Sequence, residues 1–183
     1  MISKTKLISA AILTSAAMTS QFAFAADGTI TINGQVTAQT CTINGNGSGS
    51  NNFTVTLLPV STSALAAAGQ RAFRKEFDVA LTACTPASGN VHTYFEPGPT
   101  VDTATGNLIV AAGGATNVEL GIENNADDSP IVLGAADASQ NSKAVAIAAD
   151  GTATLKYNAV YVATGAATAG VANSSVMYTL IYQ

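Results

Sequence analysis

The sequence predicts an all-β protein folded as an antiparallel β-sandwich of the immunoglobulin-like kind. Three observations carry this expectation. Apolar residues recur at every second position and not at the 3.6-residue spacing of a helix. Seven or more such runs are separated by clusters of Gly, Asn, Asp and Ser, the residues that supply turns. Only Ser61 to Ala68 has helical composition, with Ser61 or Thr62 as N-cap and Gly69 as stop.

Taken in order, residues 1–25 read as a secretory signal. Lys4 and Lys6 make the basic start, Leu7 to about Met18 the apolar stretch, and Ala23-Phe24-Ala25 an A-x-A cleavage site. The apolar stretch is too short to span a bilayer, so residues 26–183 are expected to be the mature chain, sized for one domain. Ala26 to Thr37 is an extended segment with Gly28, Ile30, Ile32, Gly34 and Val36 on one face and Thr29, Thr31, Asn33 and Gln35 on the other. Little nearby sequence is available to cover its apolar edge. Asn44 to Ser50 is a flexible loop. Phe73, Lys75, Phe77, Val79, Leu81 and Ala83 then alternate toward Cys84. Val91 to Phe95 is a further strand, closed by the Glu96-Pro97-Gly98-Pro99 turn. Strands are also expected at Leu108 to Ala111, Asn117 to Glu123, Pro130 to Leu133 and Ala144 to Ile147. A long one runs from Thr152 to Ala163, with Leu155, Tyr157, Ala159 and Tyr161 on one side. Val176 to Gln183 is apolar or aromatic apart from Thr179 and Gln183. The chain is therefore expected to finish inside a strand whose neighbour comes from another molecule.

Composition excludes several function classes. The formal charge is −4, and it becomes more negative once Lys4 and Lys6 are removed, which argues against nucleic acid or an anionic membrane surface as a partner. Arg71, Arg74 and Lys75 lie beside Glu76 and Asp78 and read as a solvated face, not a phosphate site. Cys41 and Cys84 are the two cysteines of a secreted chain, so a disulfide is the default, with one possible intramolecular pairing. Closing that loop removes unfolded-state entropy worth roughly 4 kcal/mol in the chain-entropy account. Two cysteines and one histidine cannot close a tetrahedral zinc site without carboxylates. The single histidine, His92, sits in a strand beside Tyr94 with no serine or cysteine placed as its nucleophile. No nucleophile elbow, P-loop or dinucleotide fingerprint is present. Asp127-Asp128 reads as a turn and not a calcium loop. Asn52-Phe53-Thr54 and Asn173-Ser174-Ser175 match a glycosylation sequon too short to be decisive. No catalytic residue, metal ligand or cofactor is expected.

The two ends, the cysteine pair and the strand pattern together resemble one family, the type 1 fimbrial (chaperone–usher) pilins of Gram-negative bacteria, and in particular their major subunits. The matching pieces begin with Ile30-Thr31-Ile32-Asn33-Gly34-Gln35-Val36, with Gly34 seven residues before Cys41, and Phe77 to Cys84. They continue with Ala166-Ala167-Thr168-Ala169-Gly170-Val171-Ala172-Asn173, and with Gly170 and the penultimate Tyr182. The resemblance covers essentially all of residues 26–183.

The resemblance implies an incomplete sandwich that lacks its last strand and is completed by donor-strand exchange. It implies an N-terminal extension at 26–38 followed by a pilin domain at 39–183. Ile30, Ile32 and Val36 would fill an apolar groove, and Gly34 would sit where the groove admits no side chain. Val176, Tyr178, Leu180 and Tyr182 would form the acceptor strand, with Gly170 at its approach, and the Gln183 carboxylate would meet a basic anchor of a periplasmic pilus chaperone. The implied partners are identical or related subunits head to tail, that chaperone and an outer-membrane usher. The implied place is a fimbrium on the cell surface, reached through the periplasm and serving adhesion. Strand addition of this kind takes affinity from main-chain hydrogen bonds and register from alternate side chains. The alternative is a self-contained secreted carbohydrate-binding sandwich. Adhesins that carry a lectin domain ahead of the pilin domain need more residues than this chain offers, and a secreted hydrolase would need a histidine or carboxylate constellation that is absent.

Overall fold

A computed structural model describes residues 30–34, 36 and 38–183, and the expected signal segment at 1–25 lies outside them. The chain divides into two units, residues 1–36 and 37–183. Among the described residues nine strands occur, all in the second unit. They are β1 (Thr40–Gly45), β2 (Arg71–Thr85), β3 (Asn90–Phe95), β4 (Val101–Asp102), β5 (Asn107–Ile109), β6 (Val118–Asn124), β7 (Val145–Ala146), β8 (Ala153–Ala163) and β9 (Tyr178–Tyr182). One sheet has the order β1-β2-β8-β6-β5-β4 and the other β7-β3-β9, with every pairing antiparallel.

Period-two burial places the core between the sheets. Phe77, Val79 and Leu81 of β2, Ile122 of β6 and Leu155 and Tyr157 of β8 meet Val91 and Phe95 of β3. Tyr157 is at the centre, its ring 5.6 Å from Phe77 and 5.5 Å from Phe95 between centroids. Its hydroxyl lies 3.2 Å from Ser142 Oγ, and burial pushes the phenol pKa up. A smaller cluster of Leu65, Ala72, Val118 and Ala163, with Val60 and Tyr161 against it, fills one end.

Two bulges in β2 change the pattern that alternation alone predicts. Phe73 and Ala83 both have positive φ, 51° and 52°, and the registers shift at these places. Ala72 is buried instead of Phe73, and Cys84 instead of Ala83, while Lys75 stays exposed. The second bulge sets Ala83 and Cys84 opposite the single Cys41 between the Thr40–Thr85 and Thr42–Thr82 pairs. Cys84 thereby turns inward, and it is joined to Cys41 by a disulfide.

The basic cluster on β2 is exposed, as the sequence suggests, but two of its members are tied to a buried carboxylate. Arg71 Nη1 donates to Glu123 Oε1 at 2.5 Å and Arg74 Nε to Glu123 Oε2 at 2.6 Å. Glu123 is on β6 and fully buried. To reach it both side chains cross β8, where Val160, which should face solvent, is itself completely covered. Glycine at 121 leaves room there, since a Cβ would come within 3.1 Å of Val160 Cγ1. The hydrogen bond to Glu123 raises the Arg74 pKa further above its ordinary value. Replacing Glu123 with Gln keeps the shape but removes two charge-assisted bonds, for an expected cost of about 2 kcal/mol and a melting point roughly 4–8 °C lower. Thermal unfolding of the variant beside the parent protein measures this.

Other differences are small. Ser61 to Ala68 contains only a 3₁₀ turn, Thr62–Leu65, with Ser61 Oγ accepting from Ser63 N–H at 3.3 Å. Its length is too short for α-helical bonding to establish itself. Pro130 to Leu133 is no strand. It makes one isolated bridge, Pro130 to Glu123, because proline supplies no N–H for a ladder. His92 is buried, with Nε2 2.7 Å from Asp137 Oδ1, a structural link from β3 to the 137–139 turn. Asp127 closes its turn by accepting from the N–H and hydroxyl of Ser129, and these bonds hold its pKa below the usual carboxylate range.

Candidate functional site

The functional feature is built by one strand that pairs with β3 along one edge only among the described residues. From Val171 to Gln183 the odd-numbered residues spend their backbone groups on the rest of the domain. Val171, Asn173, Ser175 and Met177 give their carbonyls to Ala115 N–H, Ala111 N–H, Thr100 Oγ1 and Glu96 N–H, and Gln183 exchanges both bonds with Asn90 at 2.8 and 2.9 Å. An antiparallel ladder alternates such pairs, so Thr179 and Ile181 also face β3. Tyr178, Leu180 and Tyr182 must then turn both N–H and C=O to the opposite side. β9 is the end strand of its sheet, and no described strand meets that edge.

The same even-numbered residues point their side chains inward. Val176, Tyr178, Leu180 and Tyr182 are half-buried and pack on the main core without being sealed by it. Facing them is a segment that sequence reasoning did not single out. Phe53, Val55 and Leu57 are half-buried while Thr54, Thr56 and Leu58 are exposed, an extended alternation that joins no ladder among the described residues. The run Phe53-Thr54-Val55-Thr56-Leu57 carries the period-two signal, and its lack of a local pairing partner is what conceals its role.

Both walls pack on the core cluster that contains Phe77 and Leu81, and their half-buried side chains leave an apolar strip beside the outer edge of β9. Phe53 and Tyr178 reach across it, with ring centroids 6.1 Å apart, and the Tyr178 hydroxyl donates to Asn51 O at 2.8 Å. Burial raises the pKa of Tyr178 and of Tyr182, keeping both phenols neutral. A separate cavity of about 280 Å³ is lined by Val60, Leu65, Val118, Tyr161, Ala167 and Gly170. Gly170 has no room for a side chain, since a Cβ would lie 2.6 Å from Ala115 N. Acceptance of an extended apolar strand is the chemistry this arrangement supports: unpaired main-chain groups on one side and an apolar trough beneath them.

The structure sets Val176, Tyr178, Leu180 and Tyr182 along one half-buried apolar face, and places Gly170 at the separate cavity. Ile30, Ile32 and Val36 belong to the other unit and are exposed, at 90%, 88% and 100%. Nothing lies within 4 Å of a Cβ placed on Gly34.

Residues 57–183 match the family described as FimA: type-1 fimbrial protein, A. The chain belongs to the type 1 fimbrial protein family. This pilin is 50% identical over 162 residues to the major fimbrial subunit SMF-1 of Stenotrophomonas maltophilia, covering 86% of this chain and 94% of that one. It is 44% identical over 173 residues to the F17 fimbrial protein of Escherichia coli, covering 92% and 94%. Among solved structures, the Burkholderia pseudomallei antigen and type I fimbria protein superposes with a TM-score of 0.56 at 26% identity, over 79% of this chain and 99% of that one. The P pilus rod subunit PapA has a TM-score of 0.57 at 20% identity, over 78% and 99%, a likeness of fold. The fold is the incomplete immunoglobulin-like sandwich of pilins, and the protein is a structural subunit of a cell-surface fimbria that polymerises with other pilins.

Proposed function

We propose that this pilin polymerises by donor-strand complementation, with residues 26–38 of one subunit filling the groove of the next. The free edge of β9 carries this reading, because the residues whose backbone groups lack partners there are the ones whose side chains line the trough. Ile30, Ile32 and Val36 supply three side chains at the matching two-residue spacing, each contributing about 1.5–3 kcal/mol on burial. An antiparallel donor sets Val36 beside the start of the acceptor segment, where the cavity near Gly170 can receive it. In this register Gly34 takes the position next to Val36 on the same face, and in its own subunit nothing crowds a Cβ there. Donation from each chain to the next is heterologous and yields an open filament, as a fimbria requires.

Before assembly the exposed edge needs a temporary occupant. A periplasmic chaperone strand along Gly170 to Gln183 and hand-over at an outer-membrane usher meet that need, following the secretory signal at residues 1–25. The protein then acts as a major rod subunit that supports attachment without catalysis.

The test is Gly34→Leu. The variant is expected to fold and to accept a donor normally, yet to fail as a donor, lowering surface fibre yield to background in immunoblots of sheared cells. Normal fibre assembly by the variant overturns the register proposed for the donor strand.

A further inference from the structure

Three Asn-Gly pairs occur in the chain: Asn33-Gly34, Asn44-Gly45 and Asn46-Gly47. Such pairs can react without an enzyme. The backbone nitrogen of the glycine loses its proton and attacks the asparagine Cγ, a C–N bond forms, and the side-chain nitrogen leaves as ammonia. Water then opens the five-membered succinimide at one of its two carbonyls, giving aspartate or isoaspartate. Glycine favours the attack because it has no side chain to obstruct it. A hydrogen-bonded glycine N–H or a locked backbone opposes it.

The fold treats the three pairs differently. Gly45 N–H donates to Ser50 O at 2.8 Å, Asn44 Oδ1 accepts from Gly49 N–H at 2.8 Å, and Gly45 is buried under the Phe53 ring. Asn46 and Gly47 sit at positive φ, 49° and 71°, in a turn closed by Ser48 N–H to Gly45 O at 3.0 Å. Asn33 and Gly34 are exposed, and no described residue accepts the Gly34 N–H.

We propose that Asn33-Gly34 is a site of spontaneous succinimide formation, and that its isoaspartyl product retires subunits not yet built into a fibre. The retirement step rests on the donor-strand reading above. Isoaspartate adds one carbon to the main chain between Ile32 and Gly34, so Ile30 and Ile32 no longer share a face and register with Val36. Once the segment is hydrogen-bonded as a strand, its backbone is held and the reaction slows. The site therefore discriminates by age among free subunits and spares assembled ones.

The experiment incubates unassembled mature protein from the periplasm, and separately purified fibres, in mildly alkaline buffer, followed by peptide-resolved mass spectrometry with fragmentation that distinguishes isoaspartate. In the free protein, conversion at 33 should run about 2- to 12-fold faster than at 44, the ratio expected from opening one hydrogen bond. In fibres it should be slower by a similar factor. Aged wild-type protein should lose most of its capacity to join fibres, whereas aged Asn33→Gln protein, which cyclises slowly, should keep it. Equal rates at the three sites, or an intact Asn33, overturn the site and leave the Gly34→Leu test untouched. If isoaspartate forms at 33 and aged protein still assembles while Gly34→Leu does not, only the retirement is wrong. If both assemble, the donor-strand reading falls as well.

Discussion

A copy of residues 26–37 joined behind Gln183 by a short flexible linker is expected to raise the melting temperature by on the order of 10–20 °C and to abolish acceptance of another subunit. The even-numbered backbone groups of β9 gain partners, and Val176, Tyr178, Leu180 and Tyr182 go from half-buried to covered. Burial of three aliphatic side chains, about 1.5–3 kcal/mol each, acts together with the main-chain ladder against the ordering cost, and the linker removes most of the cost of bringing the strand to the domain. A control graft with Ser in place of its three aliphatic residues should recover little of the gain, since main-chain bonds alone contribute only about 0.5–1.5 kcal/mol apiece. Calorimetry reads the first effect and pull-down with donor-competent subunits the second. An unchanged melting temperature with the graft in place overturns the donor-strand reading.

Tyr157→Ala should cost about 3–5 kcal/mol, the range for removing a buried aromatic ring from a close-packed core. Tyr157 is 1% exposed and touches both layers, Phe77 on one sheet and Phe95 on the other. The cavity it leaves lies beneath the groove, so the acceptor face should loosen along with the sandwich. Tyr157→Phe separates the two parts of its role, because it keeps the ring and gives up the hydroxyl with its contact to Ser142, and should cost about 1 kcal/mol. Denaturant unfolding of both variants in the grafted background provides the comparison. A Tyr157→Ala protein within 1 kcal/mol of its parent would mean the two sheets do not depend on this ring.

Much of the fold could be read directly from the chain. The strands at 90–95, 118–124 and 153–163 stand close to where alternation and turn residues place them. Both signals are local, and local signals survive without a partner. The alternation that turns Val176, Tyr178, Leu180 and Tyr182 toward the core was legible for the same reason. Phe53 to Leu57, the opposite wall, was not, because its importance lies in what it faces across a gap. β4 and β7 span two residues each and exist only through their neighbours, so no propensity marks them.

By itself, then, the sequence determined the all-β class, the inward face of the middle of β2 and of the first half of β8, the two cysteines available for pairing and the apolar pattern at both ends. Those follow from side-chain alternation and turn chemistry within a few residues. Tertiary structure alone decided where the bulges at Phe73 and Ala83 reverse that alternation, and that Arg71 and Arg74 meet Glu123 from positions 52 and 49 residues away. It also decided which backbone groups of β9 are left open. The physical reason is that hydrogen bonds and ion pairs between distant segments depend on register, and register is set only when the sheets close on a common core.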